Sequence, residues 1–170
     1  MNGAHWHLLL NHLPILGTLF GILLLLFAWV RKSDEIRKVS LGIFVLNAIC
    51  AVPAYLTGEP AEEMVEHLPG VSKALIENHE SAALVALSAA VATGVVALVA
   101  LLLSRKAKPL PTWLMLATLF LALATGGMMA RAGNLGGEIR HTEIRSGANA
   151  APANGEGQQK KDEEEREHRD

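Results

Sequence analysis

The residues in this chain whose type and placement could do chemistry are its histidines. Imidazole titrates near neutral pH and is the commonest metal ligand. Six of the seven histidines, His5, His7, His12, His67, His79 and His141, fall where one end of a membrane bundle would lie. The apolar segments between them carry no Asp, Glu, Lys or Arg. A chain that keeps its hydrocarbon-facing core free of charge and gathers imidazoles at one rim points to chemistry at that rim. The plain alternative is that histidines at a membrane interface are polar helix ends with no ligand. His67 precedes Pro69 in an acidic loop and reads as a surface residue.

Three ligand chemistries fit the pattern. A b-type haem takes two axial imidazoles from different elements on opposite sides of a flat macrocycle. His7 or His12 paired with His79 or His141 would supply them. Nearby glycines, Gly136 and Gly137 among them, would admit the ring, and Arg131, Arg140 or Arg145 would pair its propionates. A copper or zinc site needs three or four ligands about 2 Å from the ion. His5, His7, His79 and Glu80 could converge that way, and His7, His12 and His79 are the candidate metal ligands. The third reading is a pH-sensitive or purely structural polar cap.

These residues need elements to position them. Segments 8–30, 39–57, 81–104 and 112–130 are almost wholly apolar, whereas the last 25 residues are almost wholly polar. A hydrocarbon core of about 30 Å needs roughly 20 helical residues, and each segment is long enough. Segments apolar all round are membrane spans rather than faces of a soluble domain. The expected fold is all-α: a four-helix transmembrane bundle, up-down-up-down, over residues 1–145. Its helices are expected at about 8–30, 39–57, 72–104 and 112–130. The third begins before the membrane because Val71, Leu75 and Ile76 recur at helical spacing after the Leu68-Pro69-Gly70 turn. Residues 146–170 read as a disordered, charged tail that includes His168.

Orientation follows from Lys and Arg. Arg31, Lys32, Arg37 and Lys38 lie between the first two helices, and Arg105, Lys106 and Lys108 between the last two. The loop between helices two and three has only Lys73 against Glu59, Glu62, Glu63, Glu66, Glu77 and Glu80. The positive-inside rule puts both basic loops in the cytoplasm and both termini outside, so the histidine rim is expected to be extracytoplasmic. The expected location is a bacterial inner membrane. The N-terminus lacks a signal-peptide pattern, so the first helix is expected to remain as an anchor. Trp6 and Trp113 suit the two headgroup layers.

Within the spans, Pro14 either opens the first helix or kinks a longer one that begins near Ala4. Pro53 should bend the second. Gly17 and Gly21 allow a neighbouring helix to come close, and Asn47 should face another helix. Five glycines, from Gly126 to Gly137, suggest backbone turning over the bundle or room for a flat ligand. Cys50 is the sole cysteine, so an intramolecular disulfide and a c-type haem attachment are both excluded. Helical rise puts His12 about 28 Å and His7 about 36 Å above Arg31, and His79 about 39 Å above Arg105. His7 thus matches the level of His79 better than His12 does. A tilted third helix would narrow the gap to His12, and both pairings stay open.

The inner half has no histidine, so one rim haem would exchange electrons with quinol or an extracytoplasmic redox protein rather than conduct across the membrane. No phosphate-binding glycine loop is present, and no basic pattern suits nucleic acid. Nothing marks a stand-alone enzyme, and coupled carriers usually place ionisable groups near the midplane.

The H-x4-H-x-P pattern of His7, His12 and Pro14 opens the first helix, Thr57-Gly58 closes the second, His79 opens the third, and Leu135-Gly136-Gly137-Glu138 follows the fourth. In that order they resemble an uncharacterised family of bacterial four-helix membrane proteins, domain-of-unknown-function 2231, over roughly residues 5–145. Members also occur fused to Rieske iron–sulfur domains, so the resemblance implies a redox setting; it implies no particular activity. By matched position it carries over His7, His12, His79, Gly136 and Gly137. Ile139-Arg140-His141 departs from the family's usual L-V-Y, so His141 stands where an aromatic residue is expected. The leading expectation is a redox-associated integral membrane protein with haem b, or alternatively copper or zinc, at the extracytoplasmic rim. The rival is a structural or assembly subunit of a membrane complex with no cofactor.

Overall fold

The computed structural model describes residues 2–104 and 111–145. The basic residues Arg105, Lys106 and Lys108 and the tail 146–170 with His168 lie outside the described residues. Six α-helices and a 3-10 turn make up the rest. They are α1 (Gly3–Leu10), α2 (His12–Arg31), α3 (Asp34–Leu56), α4 (Gly58–Glu62), α5 (Lys73–Ser104), α6 (Thr112–Arg140) and the turn Thr142–Ile144. Four stretches are long and apolar enough to cross a membrane: Gly3–Arg31, Asp34–Leu56, Lys73–Ser104 and Thr112–Arg140. The fold is an all-α four-helix bundle of the multi-pass membrane type. Around the ring, α2 packs on α3, α3 on α5 and α5 on α6, and a shorter seam between α2 and α6 closes it.

The side-chain distribution inverts that of a soluble protein. Leu16, Leu19, Phe20, Leu23 and Phe27 on α2 face outward, while Ala82, Ala86, Ala90, Gly94 and Ala97 on α5 are buried. Outward leucine and inward alanine is what a lipid solvent selects, because small residues let helix backbones approach. The buried polar groups are satisfied across the seams. Ser40 Oγ donates to Gly21 O (2.8 Å), and Asn47 Nδ2 donates to Thr18 Oγ1 (2.8 Å). Thr18 donates on to Met129 Sδ (3.3 Å), and Thr93 and Thr125 pair at 2.9 Å. Each such bond between membrane helices contributes about 0.6 kcal/mol on average. Their placement on three different seams fixes the ring's register.

The first helix is interrupted at Asn11, one turn ahead of Pro14. Proline has no N–H to return to the carbonyl four residues back, here that of Leu10. Asn11 itself keeps helical angles (φ −63°, ψ −27°), so α1 continues the direction of α2. At the far end of α2, Lys32 takes left-handed angles (φ 52°) and Ser33 caps α3 by accepting from the Ile36 N–H. The fourth span runs to Arg140, past the expected end at 130. Its glycines, Gly126 to Gly137, suggest from sequence a backbone turning over the bundle or room for a flat ligand. Several instead lie against neighbouring side chains, and packing overrides glycine's poor helix propensity.

Candidate functional site

The end of the bundle that carries the N-terminus holds α1, α4, the segment from Glu63 to Ser72 and the turn Thr142–Ile144. Two histidines meet there. His7 comes from α1 and His79 from the first turns of α5, and their ring centres are 6.4 Å apart with planes at 88°. Both rings are half-buried.

Each ring is held through the same nitrogen. His7 Nδ1 lies 3.1 Å from Ala54 O and 3.3 Å from Thr57 Oγ1, at the end of α3. A carbonyl in the last turn of a helix lacks an intrahelical N–H partner; Ala54 O accepts from Thr57 Oγ1 at 3.0 Å and from His7. His79 Nδ1 lies 2.9 Å from Ala132 O on α6. Carbonyl oxygens only accept, so both Nδ1 atoms carry a proton, and it is Nε2 that bears the lone pair in the neutral form of each ring. This is the arrangement in which a metal-ligating histidine is usually oriented by its surroundings.

Gly136 is what lets His79 reach α6. A Cβ at Gly136 would stand 2.9 Å from His79 Cε1 and 3.1 Å from its Nδ1. The space at this glycine is filled by the protein's own imidazole rather than by a slot for a flat ligand. Gly137 gives room to Ile144, whose Cδ1 would be 3.1 Å from an added Cβ.

The other sequence candidates lie apart from the pair. His12 is exposed, and its Nδ1 is 3.4 Å from Leu8 O on the preceding turn of the helix. His141 is exposed and pairs with Glu143 Oε1 at 2.9 Å. His5 is exposed on α1, and His67 points outward beside Glu66. Arg131 and Arg140 are exposed on α6 on either side of the Ala132–Gly136 stretch that meets His79. Arg145 is occupied: its guanidinium donates to Glu138 O (2.7 Å), Ile139 O (3.0 Å) and Gly70 O (2.8 Å). Among the described residues, no three His, Cys, Asp or Glu side chains come together in a way that could hold an ion.

Two ligand nitrogens about 2 Å from a shared ion put their ring centres roughly 6 Å apart. The 6.4 Å spacing falls in that range. Rotation of either ring about its metal–nitrogen axis leaves ligation intact, so perpendicular planes are compatible with it. Two imidazoles complete a site only where the remaining positions are filled by something else, and a haem macrocycle fills four.

Beside the pair, Glu62 on α4 and Glu80 on α5 are neighbours. Burial first, then the charge of Glu80 and a hydrogen bond with it, raise the Glu62 carboxyl above its ordinary value of 4.5. A raised carboxyl means the folded cap holds a proton that the unfolded chain has released. The cap is therefore most stable below the ordinary Glu range and weakens as pH rises through the raised value. Glu62→Gln should flatten that dependence. Hydrogen exchange across residues 58–66 from pH 4 to 7 checks it; an unchanged slope in the variant would show that another group titrates.

Compared with known proteins, the chain matches no family model, no curated protein and no solved structure.

Proposed function

We propose that this multi-pass membrane protein is redox-associated and holds a b-type haem through His7 and His79 at the extracytoplasmic rim. The single observation that carries the reading is the pair itself: two imidazoles from different helices, each fixed at Nδ1 by a backbone carbonyl, with ring centres 6.4 Å apart. The donor count favours haem over copper or zinc, because a protein-only site for those ions takes three or four ligands. Haem would supply one-electron chemistry. The protein's own part would be to fix the two rings, with Ala54 and Ala132 raising their basicity as acceptors, and to offer Arg131 and Arg140 to the propionates. The resemblance to the family that occurs with Rieske domains supports the redox setting, and quinol or an extracytoplasmic redox protein is the partner class that follows. The excess of Lys and Arg on the loop between α2 and α3 supports the orientation.

The test is an absorption spectrum of protein from haem-replete cells, solubilised gently. The expected result is a Soret band that shifts on dithionite reduction. His7→Ala and His79→Ala should each abolish the low-spin spectrum, whereas His12→Ala and His141→Ala should leave it intact. A colourless wild-type protein with no bound metal by mass spectrometry would refute both ligand readings and leave the pair as helix-end caps in an assembly subunit.

A further inference from the structure

The two histidines of the pair ride on elements that are held very differently. His79 belongs to a spanning helix and is tied to Ala132 O on another, α6. His7 belongs to α1, none of whose 8 residues is buried. That helix packs on α4, which has no buried residue either, and on the end of α3. Among the described residues, His7 is the only α1 side chain that hydrogen-bonds beyond its own helix, to Ala54 O and Thr57 Oγ1. At the tip of α1, Gly3 lies against Pro60: an added Cβ would stand 2.5 Å from Pro60 Cβ and 2.6 Å from Pro60 O. An element without buried side chains and with few ties opens at low free energy.

The joint with α2 favours bending. Pro14 has no N–H for the helix ladder. One turn before it, Asn11 Oδ1 is enclosed and meets no donor among the described residues. A buried acceptor without a donor destabilises the form that buries it. Beyond the joint, Pro14, Thr18, Gly21, Ile22 and Leu25 are buried in the bundle, so α2 stays in place when α1 moves. The moving helix also has a destination. With its 20 residues, α2 alone matches a hydrocarbon core of about 30 Å, which leaves α1 at headgroup level. Trp6, Leu8 and Leu9 are exposed on α1, and a helix bearing such side chains lies down in that layer.

We infer that α1 is a lid, hinged at Asn11–Pro14, whose lifting as a unit separates His7 from His79 and opens the space between the two rings. Its purpose, admitting a flat ligand to a pair that then closes on it, rests on the haem reading. The motion itself rests on how α1 is packed.

The experiment is double electron–electron resonance on the full-length protein in nanodiscs. Nitroxides sit at two exposed positions, Leu9→Cys on α1 and Glu77→Cys on α5, in a Cys50→Ser background. The expected result is two discrete distances, the longer one a minor population of up to about 10%. Gly3→Leu cannot seat on Pro60 and should raise the ratio of long to short at least about tenfold. Pro14→Ala returns an N–H to the ladder and should lower it. A label pair on the spans, Leu23→Cys with Leu102→Cys, should keep one distance throughout. If that pair moves in Gly3→Leu, the variant is misfolded, and the comparison of wild type with Pro14→Ala decides. One short distance in every protein, a longer peak that neither variant shifts, or a single broad distribution of the kind a fraying end gives would each overturn the inference and leave α1 a fixed cap. A lid that opens in a protein without a Soret band would defeat the haem proposal and spare this one.

Discussion

Arg145→Ala should release the segment Thr142–Arg145 and the turn at Gly70 together. The arginine is 8% exposed and donates to three carbonyls, those of Glu138, Ile139 and Gly70. Two of these lie in the last turn of α6, where carbonyls lack intrahelical donors and a cation is favoured by the helix dipole. The third belongs to a residue 75 positions earlier in the chain. Gly70 has φ +78°, a conformation that side chains disfavour, and the turn there directs its carbonyl to the guanidinium. Alanine would strand three acceptors at a membrane surface that water only partly reaches. The local opening free energy should fall by about 2–4 kcal/mol. Backbone amides of residues 65–75 and 141–145 should then exchange hydrogen roughly 30 to 1,000 times faster. Arg145→Lys keeps the charge but not the fork of donors, and should fall between the two. Unchanged exchange in Arg145→Ala would mean that the guanidinium contributes nothing to the cap.

This role explains why one reading of Arg145 from sequence, as a partner for propionates, differs from its contacts. Position and charge are visible in the sequence. Which of several nearby acceptors an arginine meets depends on where the chain folds back, and after His141 it returns so that Ile144 lies beside Gly137. The four spans were legible because their signal is composition over roughly 20 residues, which a lipid environment leaves no alternative way to satisfy. The extent of the last span was not, because glycine's local preference was weighed without the neighbours that occupy the space beside it. His7 and His79 stood out by residue type and by matching height along their helices. The step from six histidines to two needed the carbonyls of Ala54 and Ala132, which have no sequence signature. The repeat Ala82, Ala86, Ala90, Gly94 was readable as a close-packing face on α5.

Gly94 is where that face bears the most. It sits mid-span on the α3–α5 seam, and a Cβ there would stand 2.5 Å from Ala48 Cβ and 3.3 Å from Phe44 O. Neither atom is the free end of a flexible chain, so relief requires the two helices to part. Parting them would draw Phe44 and Ala97, both in the central apolar cluster, out of contact. Overpacking of this kind costs about 1–3 kcal/mol, occasionally more; Gly94→Ala should fall near the top of that range and Gly94→Leu beyond it. Gly127 provides the internal comparison, because its added Cβ would meet nothing within 4 Å. Gly127→Ala should be neutral or stabilising, by up to the roughly 0.8–1 kcal/mol that separates the two residues in a helix. Unfolding of purified protein by SDS titration, followed by circular dichroism, measures both. A Gly94→Ala protein as stable as wild type would mean that the α3–α5 seam is looser than this approach of backbones implies.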